Sequence, residues 1–170
     1  ETGLGALSRR RPRPTPAHPA LSQVSDLRFM DAALAWARSG VGLTAPNPSV
    51  GCVLVKDGQV IGAARTADGG RPHAETQALA MAGEAAHGAT AYVTLEPCAH
   101  TGVTGPCADA LIAAGISRCV VALVDPDPRV DGGGITRLRA SGITVETGLR
   151  EEEARAMKSE FLSQFRAANI

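Results

Sequence analysis

The sequence predicts an α/β fold in which a mixed central sheet is flanked by helices. Three observations carry that expectation. Short apolar runs of strand length, Val50–Val55, Ala91–Leu95 and Arg118–Val124, alternate with Ala-rich or amphipathic stretches of helical length. An Asp57-Gly58 pair joins two apolar runs, a strong tight-turn signal. Glycines then punctuate the helical stretches, at Gly40 and Gly42 after the first and at Gly115 after another. Strands alternating with helices imply layers packed on a sheet.

The elements follow in chain order. Glu1 to about Ser25 carries Arg9-Arg10-Arg11, several prolines and little periodicity, so residues 1–25 read as a solvated Arg/Pro-rich tail and residues 26–170 as one domain. The same Arg-rich, acid-poor stretch also suits a transit peptide, and the missing initiator Met suits processing. Asp31–Ser39 is the first expected helix, with Phe29, Met30, Leu34 and Trp36 near helical spacing. Val50–Val55 and Gln59–Ala63 form a hairpin around Lys56-Asp57-Gly58. After the loop Asp68–Pro72, the Ala-rich stretch His73–Ala82 is expected to be helical, which puts His73 and Glu75 at a helix N-terminus. Ala91–Leu95 is a strand running into Glu96-Pro97-Cys98, and Cys107–Ala114 the next helix. Arg118–Val124 is a strand, Gly134–Ser141 a helix, Thr144–Thr147 a short strand and Glu151–Ala168 a closing amphipathic helix.

Composition excludes several functions. The 170 residues balance 17 basic against 17 acidic side chains and are only 3% aromatic. A nucleic-acid groove normally couples basic surface to stacking rings, so no nucleic-acid partner is expected. No apolar run approaches the roughly 20 residues that cross a bilayer, so no membrane partner is expected either. Four cysteines could make two disulfides in a secreted protein, but two have a better use as thiolate ligands, and a reducing cytoplasm is the expected compartment.

That use rests on His73-Ala74-Glu75, followed by Pro97-Cys98 and Pro106-Cys107. One His and two Cys supply three zinc ligands and leave a fourth position open, which distinguishes catalytic zinc from structural zinc. Zinc brings the pKa of a bound water from about 15.7 toward 7. Glu75, two residues past the His, is placed to handle the proton without being a ligand. A closed structural site needs a fourth donor. Cys52 and Cys119 lie inside apolar strands, and His100, two residues past Cys98, is the remaining candidate. The pattern therefore reads as that of a hydrolytic zinc deaminase.

The runs Ala45–Val53, Gly70–Glu75, Tyr92–His100 and Asp109–Ile116 closely resemble the deaminase domain of the bifunctional riboflavin-biosynthesis deaminase/reductase, over about Phe29 to Phe165. The eight residues between Cys98 and Cys107 are the most specific element, since most cytidine-type deaminases use Cys-x-x-Cys. The resemblance implies a three-layer cytidine-deaminase-like fold. It implies Zn2+ held by His73, Cys98 and Cys107, with Glu75 as the proton shuttle. The reaction it implies is hydrolysis of the 2-amino group of a diaminopyrimidinone ribosyl phosphate, releasing ammonia. The implied substrate contacts are Asn47, His100 and Thr104; Asn47 also reads as a turn residue between two prolines. The amide of Ala74 is a further candidate for a pyrimidine carbonyl, because helix N-terminal amides are unpaired. The family often dimerises, which makes a homodimer the expectation, with the closing helix around Phe161, Leu162 and Phe165 packing on its own core or on a partner.

Three positions depart from the family pattern. Val103 stands where a basic residue holds the substrate phosphate, Thr66 where many relatives have His, and Gly133 where a basic residue is usual. Arg65, Arg71 or Arg129 then become the candidates for the phosphate. The chain ends at Ile170 without a nucleotide-binding segment, so no nicotinamide cofactor is expected. The alternatives are a zinc deaminase of another small amino-heterocycle and a non-catalytic zinc-binding module.

Overall fold

The computed structural model describes residues 19–99, 106–124 and 133–168, with side chains from Gln23 to Ser163. Five helices, α1 (Pro19–Ser39), α2 (Ala74–Ala82), α3 (Cys107–Ala113), α4 (Gly133–Ala140) and α5 (Glu151–Ala168), pack on five strands. These are β1 (Gly51–Lys56), β2 (Gln59–Arg65), β3 (Thr90–Leu95), β4 (Arg118–Leu123) and β5 (Thr144–Thr147). The sheet runs β2-β1-β3-β4-β5. It is mixed as expected: β1 is antiparallel to β2 and β3, while β3, β4 and β5 are parallel.

Period-two alternation divides the strands between two cores. Cys52, Leu54, Val93 and Val121 face α2, α3 and α4, together with Ala74, Ala78, Leu111 and Leu138. Val53, Tyr92, Val120 and Ala122 face α1 and α5, together with Met30, Ala33, Ala37, Ala154 and Met157. The result is three layers. Both faces of the central strands are covered, which is why β1 and β4 read as unbroken apolar runs. The approach of α1 to β1 is close enough that a Cβ on Gly51 would run into the Ala33 carbonyl. Phe161 is buried in the chain's own core, whereas Leu162 is exposed; the side chain of Phe165 lies outside the described residues.

The start of the first helix differs from the sequence reading. Helix α1 begins at Pro19, inside the stretch assigned to the tail and well before Asp31. Its early turns are held by tertiary contacts that local periodicity does not show. Asp26 accepts a hydrogen bond from Tyr92 Oη at 2.6 Å and a bidentate pair from Arg118 at 2.9 and 2.7 Å. A single 3-10 turn occupies Asp68–Gly70, where loop was expected, and another follows α2 at Gly83–Ala86. No helix among the described residues is long and apolar enough to cross a membrane.

Arg118 donates to Glu146 as well, at 3.1 and 2.7 Å, so one guanidinium ties α1 to β4 and β5. Its hydrogen bonds, with that of Tyr92, hold the Asp26 carboxyl below its ordinary value of 3.8, against the opposing effect of burial. A carboxylate whose pKa falls on folding adds stability that is fully present above the ordinary value and is lost as pH drops through the lowered one. Asp26→Asn is therefore expected to cost about 1.5–3 kcal/mol near neutral pH, the usual range for hydrogen bonds to a charged group. That cost should shrink as the pH is taken below the ordinary carboxylate range. Urea unfolding of both proteins at pH 7 and at pH 3 checks this; an equal difference at the two pH values would show that the pair carries no charge-linked stability.

Candidate active site

Strand β3 ends at Leu95, and the chain continues through Glu96 and the fully buried Pro97 to Cys98. The Glu96 amide still donates to Leu123 O at 2.9 Å, so the parallel pairing with β4 carries on to the threshold of Cys98. Helix α4 presses on the same turn: a Cβ on Gly134 would collide with the Pro97 carbonyl. Cys107 opens α3 behind Pro106, and the Cys107 amide donates to Cys98 Sγ at 3.3 Å. His73 arrives from the other side as the N-cap of α2, with extended backbone (φ −69°, ψ 161°). The sequence reading put His73 inside the helix. It sits one position before it, which leaves Ala74 and Glu75 as the first two helical residues.

These elements bring the predicted ligands together. One donor atom from each of His73, Cys98 and Cys107 lies within 4.8 Å of the others. His73 Nδ1 is 3.2 Å from Cys107 Sγ and 4.0 Å from Cys98 Sγ. Zinc bonds of about 2.1 Å to nitrogen and about 2.3 Å to sulfur, in tetrahedral array, need donors roughly 3.6 Å apart, so the cluster fits the ion. The donor chemistry fits too, since imidazole and thiolate together suit zinc better than calcium or magnesium. Cys52 on β1 and Cys119 on β4 take no part. Both are wholly buried, and burial pushes the Cys119 thiol up to about 12 and that of Cys52 well above its usual range.

The site's charges are interdependent. A hydrogen bond from Cys107 holds Cys98 down at about 4, with His73 and the Cys107 amide helping, so Cys98 is a thiolate at neutral pH. Cys107 keeps its proton to higher pH because it shares it with Cys98 and is buried. His73 is raised by its hydrogen bond to Cys98. Burial raises the Glu75 carboxyl, while its contact with Cys107 and the charge of His73 oppose the shift. Glu75 is 4% exposed, sealed from bulk water but in electrostatic reach of every ligand.

Of the other predicted residues, Asn47 is held firmly. Its Nδ2 donates to Gly70 O at 2.8 Å, and its carbonyl accepts from Thr44 Oγ1 at 2.8 Å. Ala74 is buried at the start of α2. Arg71 is exposed, and its charge acts on the His73 ring. Arg65 is engaged elsewhere, with Asp68 at 2.9 Å and the Thr66 carbonyl at 2.8 Å. His100, Val103, Thr104 and Arg129 lie outside the described residues. Sequence reasoning missed Thr44 and treated Thr66 as a bare departure. Thr66 is 1% exposed, its Oγ1 accepting from the Val50 amide at 2.9 Å and lying 3.3 Å from the Pro48 carbonyl. No spacing rule identifies Thr66, because its partners, the Val50 amide and the Pro48 carbonyl, are 16 and 18 residues away.

Zinc deaminases are built in this way, with one His and two Cys around the ion and a glutamate kept out of its coordination. Fold and site together assign the chain to that class. More narrowly, it belongs to the family defined by the cytidine and deoxycytidylate deaminase zinc-binding region, whose model matches residues 23–123. The chain is 52% identical over 143 residues to riboflavin biosynthesis protein RibD of Escherichia coli (strain K12), covering 84% of this chain and 39% of that protein. It is 45% identical over 143 residues to the diaminohydroxyphosphoribosylamino-pyrimidine deaminase of Buchnera aphidicola subsp. Acyrthosiphon pisum (strain APS), covering 84% of this chain and 97% of that protein. The solved structure of Acinetobacter baumannii RibD, form 2, superposes with a TM-score of 0.80 at 49% identity, over 84% of this chain and 40% of that one. The chain thus spans about two fifths of the length of its RibD relatives.

Thiol ligands must lose their protons to bind a metal. Cys107 holds its proton at neutral pH, so zinc uptake at pH 7 is expected to release protons, with affinity falling as the pH is lowered. Calorimetric titration of the metal-free protein in buffers of different ionisation enthalpy counts them, and uptake without release would remove Cys107 from the ligand set.

Proposed function

We propose that the chain catalyses zinc-dependent hydrolysis of the 2-amino group of diaminohydroxyphosphoribosylaminopyrimidine, the deamination step of riboflavin biosynthesis. The observation that carries this reading is Glu75, a buried carboxyl with a raised pKa beside a His–Cys–Cys cluster. A purely structural metal site has no use for an acid/base group there. The names borne by the E. coli and Buchnera relatives support the substrate.

His73, Cys98 and Cys107 hold the ion in this reading, and Glu75 is the catalytic acid/base. Bound zinc supplies a Lewis acid that makes hydrolysis by water feasible at neutral pH. Glu75 would take one proton from the attacking water and deliver it to the ring nitrogen, then take the second from the hydroxyl left on the ring carbon and deliver it to the amine, which departs as ammonia as the carbonyl forms. Burial lifts its pKa toward the working pH, which favours both halves of the transfer. The Ala74 amide, at the open end of α2, meets a carbonyl of the pyrimidine. Asn47 spends one amide hydrogen on Gly70 O, which fixes the side chain and leaves the rest of the amide for the substrate. With Arg65 tied to Asp68, Arg71 and Arg129 are the better candidates for the phosphate. His100 and Thr104 complete the contacts.

A reducing cytoplasm belongs to this reading, supported by four cysteines that form no disulfide. A homodimer belongs to it as well. Exposed Trp36 and Met81, which line one cleft beside β2, are an apolar surface that a second copy would cover.

Ammonia release from this substrate by zinc-loaded protein tests the reaction, with Glu75→Gln as the control. The variant is expected to keep its zinc and lose about 10²–10⁴-fold in kcat, the usual contribution of a general acid/base. Wild-type protein that holds zinc yet releases no ammonia would overturn the substrate assignment.

A further inference from the structure

We infer that Gln77 is a positioning residue for the metal site, acting through the backbone that carries His73. The inference rests on the reading of His73 as a ligand.

Gln77 lies on α2, four residues past His73. Its Nε2 donates to the Arg65 carbonyl at 2.7 Å and to the Pro72 carbonyl at 2.9 Å, and lies 3.4 Å from the His73 carbonyl. Arg65 is the last residue of β2, while Pro72 and His73 are the last two residues before α2. One side-chain amide therefore closes the whole Thr66–Pro72 connection onto the first turn of the helix. Both of its hydrogens have a short partner, and the His73 carbonyl sits at the edge of their reach.

His73 needs such support. It occupies the N-cap, where a Ser, Thr, Asp or Asn side chain would normally bind a free amide of the first turn. The His73 side chain makes no capping bond, because its ring is turned toward Cys107 and Cys98. The usual lock on the first turn is missing at the residue whose ring must be placed most accurately. Thr76 Oγ1 holds the His73 carbonyl at 3.0 Å, and the Ala67 amide shares the Pro72 carbonyl at 3.1 Å. Gln77 spans from the end of the strand to the ligand. Its substitution leaves the core-facing residues of α2, Ala74 and Ala78, in place. Supporting contacts of ligand residues typically contribute 10–100-fold to metal affinity.

The test is zinc affinity of the metal-free protein by chelator competition, with urea unfolding of the same preparations. Gln77→Met, similar in length but without donors, is expected to weaken zinc binding about 10–100-fold while moving the metal-free urea midpoint little. Gln77→Glu, which turns acceptor oxygens toward three carbonyls, should weaken it at least as much. The visible bands of the cobalt-loaded variants should shift as the ligand geometry loosens. Wild-type affinity in both variants overturns the inference. So does a loss of metal-free stability large enough to account for the weaker binding, or loss of the fold in both, since Gln77 would then be a general structural residue. His73→Ala separates the two readings. If wild type binds one zinc and His73→Ala does not, the ligand assignment stands whatever Gln77 does; if His73→Ala binds like wild type, both readings fall.

Discussion

The structure depends on holding four ionisable side chains together, Glu75 and Cys107 buried and His73 and Cys98 partly so. Cys98 and Cys107 follow His73 by 25 and 34 residues, yet these three place donor atoms within 4.8 Å of one another, with Glu75 beside them. Two thiols and a carboxyl cannot all ionise in such a volume without a compensating cation. The hydrogen bond between the two thiols lowers Cys98 and raises Cys107, while burial raises Glu75. A divalent cation would remove the need for that compromise. The raised carboxyl of Glu75 has another cause, burial, against which its contact with Cys107 and the charge of His73 both act.

The sheet exists in its particular form to permit that crowding. Parallel pairing of β3 with β4 carries Cys98 out at the end of a central strand, and the crossover that parallel pairing requires begins at Cys107. Antiparallel β1 and β2 bring the chain back so that α2 starts against the same end. Gly51 and Gly134 mark where this leaves no room: one lets α1 lie against β1, the other lets α4 lie against the Pro97–Cys98 turn. A methyl group at Gly134 would be felt one residue from a ligand, so core packing and site geometry are not independent at this position.

Much of this was legible in the sequence. The strands read correctly because layers on both faces make them continuously apolar, and the Asp57-Gly58 turn has a local signature, with Asp57 at φ 52° and Gly58 at φ 75°. The gathering of His73, Cys98 and Cys107 was legible because the chemistry of a zinc site restricts residue type and spacing at once. Less legible was whatever depends on partners distant in sequence. The early turns of α1 are fixed by Tyr92 and Arg118, 66 and 92 residues away from Asp26, which periodicity within the helix does not reveal. The placement of His73 at the N-cap was missed for a related reason: helix propensity favours the Ala-rich stretch, but the need to turn its ring toward two thiols keeps its backbone extended.

Thr66 shows why a departure from a family pattern is not simply a loss. Compared by residue type alone, a His replaced by Thr removes a polar contact from the substrate surface. In the fold, Thr66 is buried, and its hydroxyl lies against both the Val50 amide and the Pro48 carbonyl. Thr44 grips the same loop one residue earlier, at the Asn47 carbonyl, and Asn47 in turn reaches Gly70. Two hydroxyls thus immobilise the segment that presents Asn47, at the cost of little side-chain entropy because both are short. The result is a stiff loop around Asn47, with Arg65 bound to Asp68 and the charge of Arg71 reaching His73.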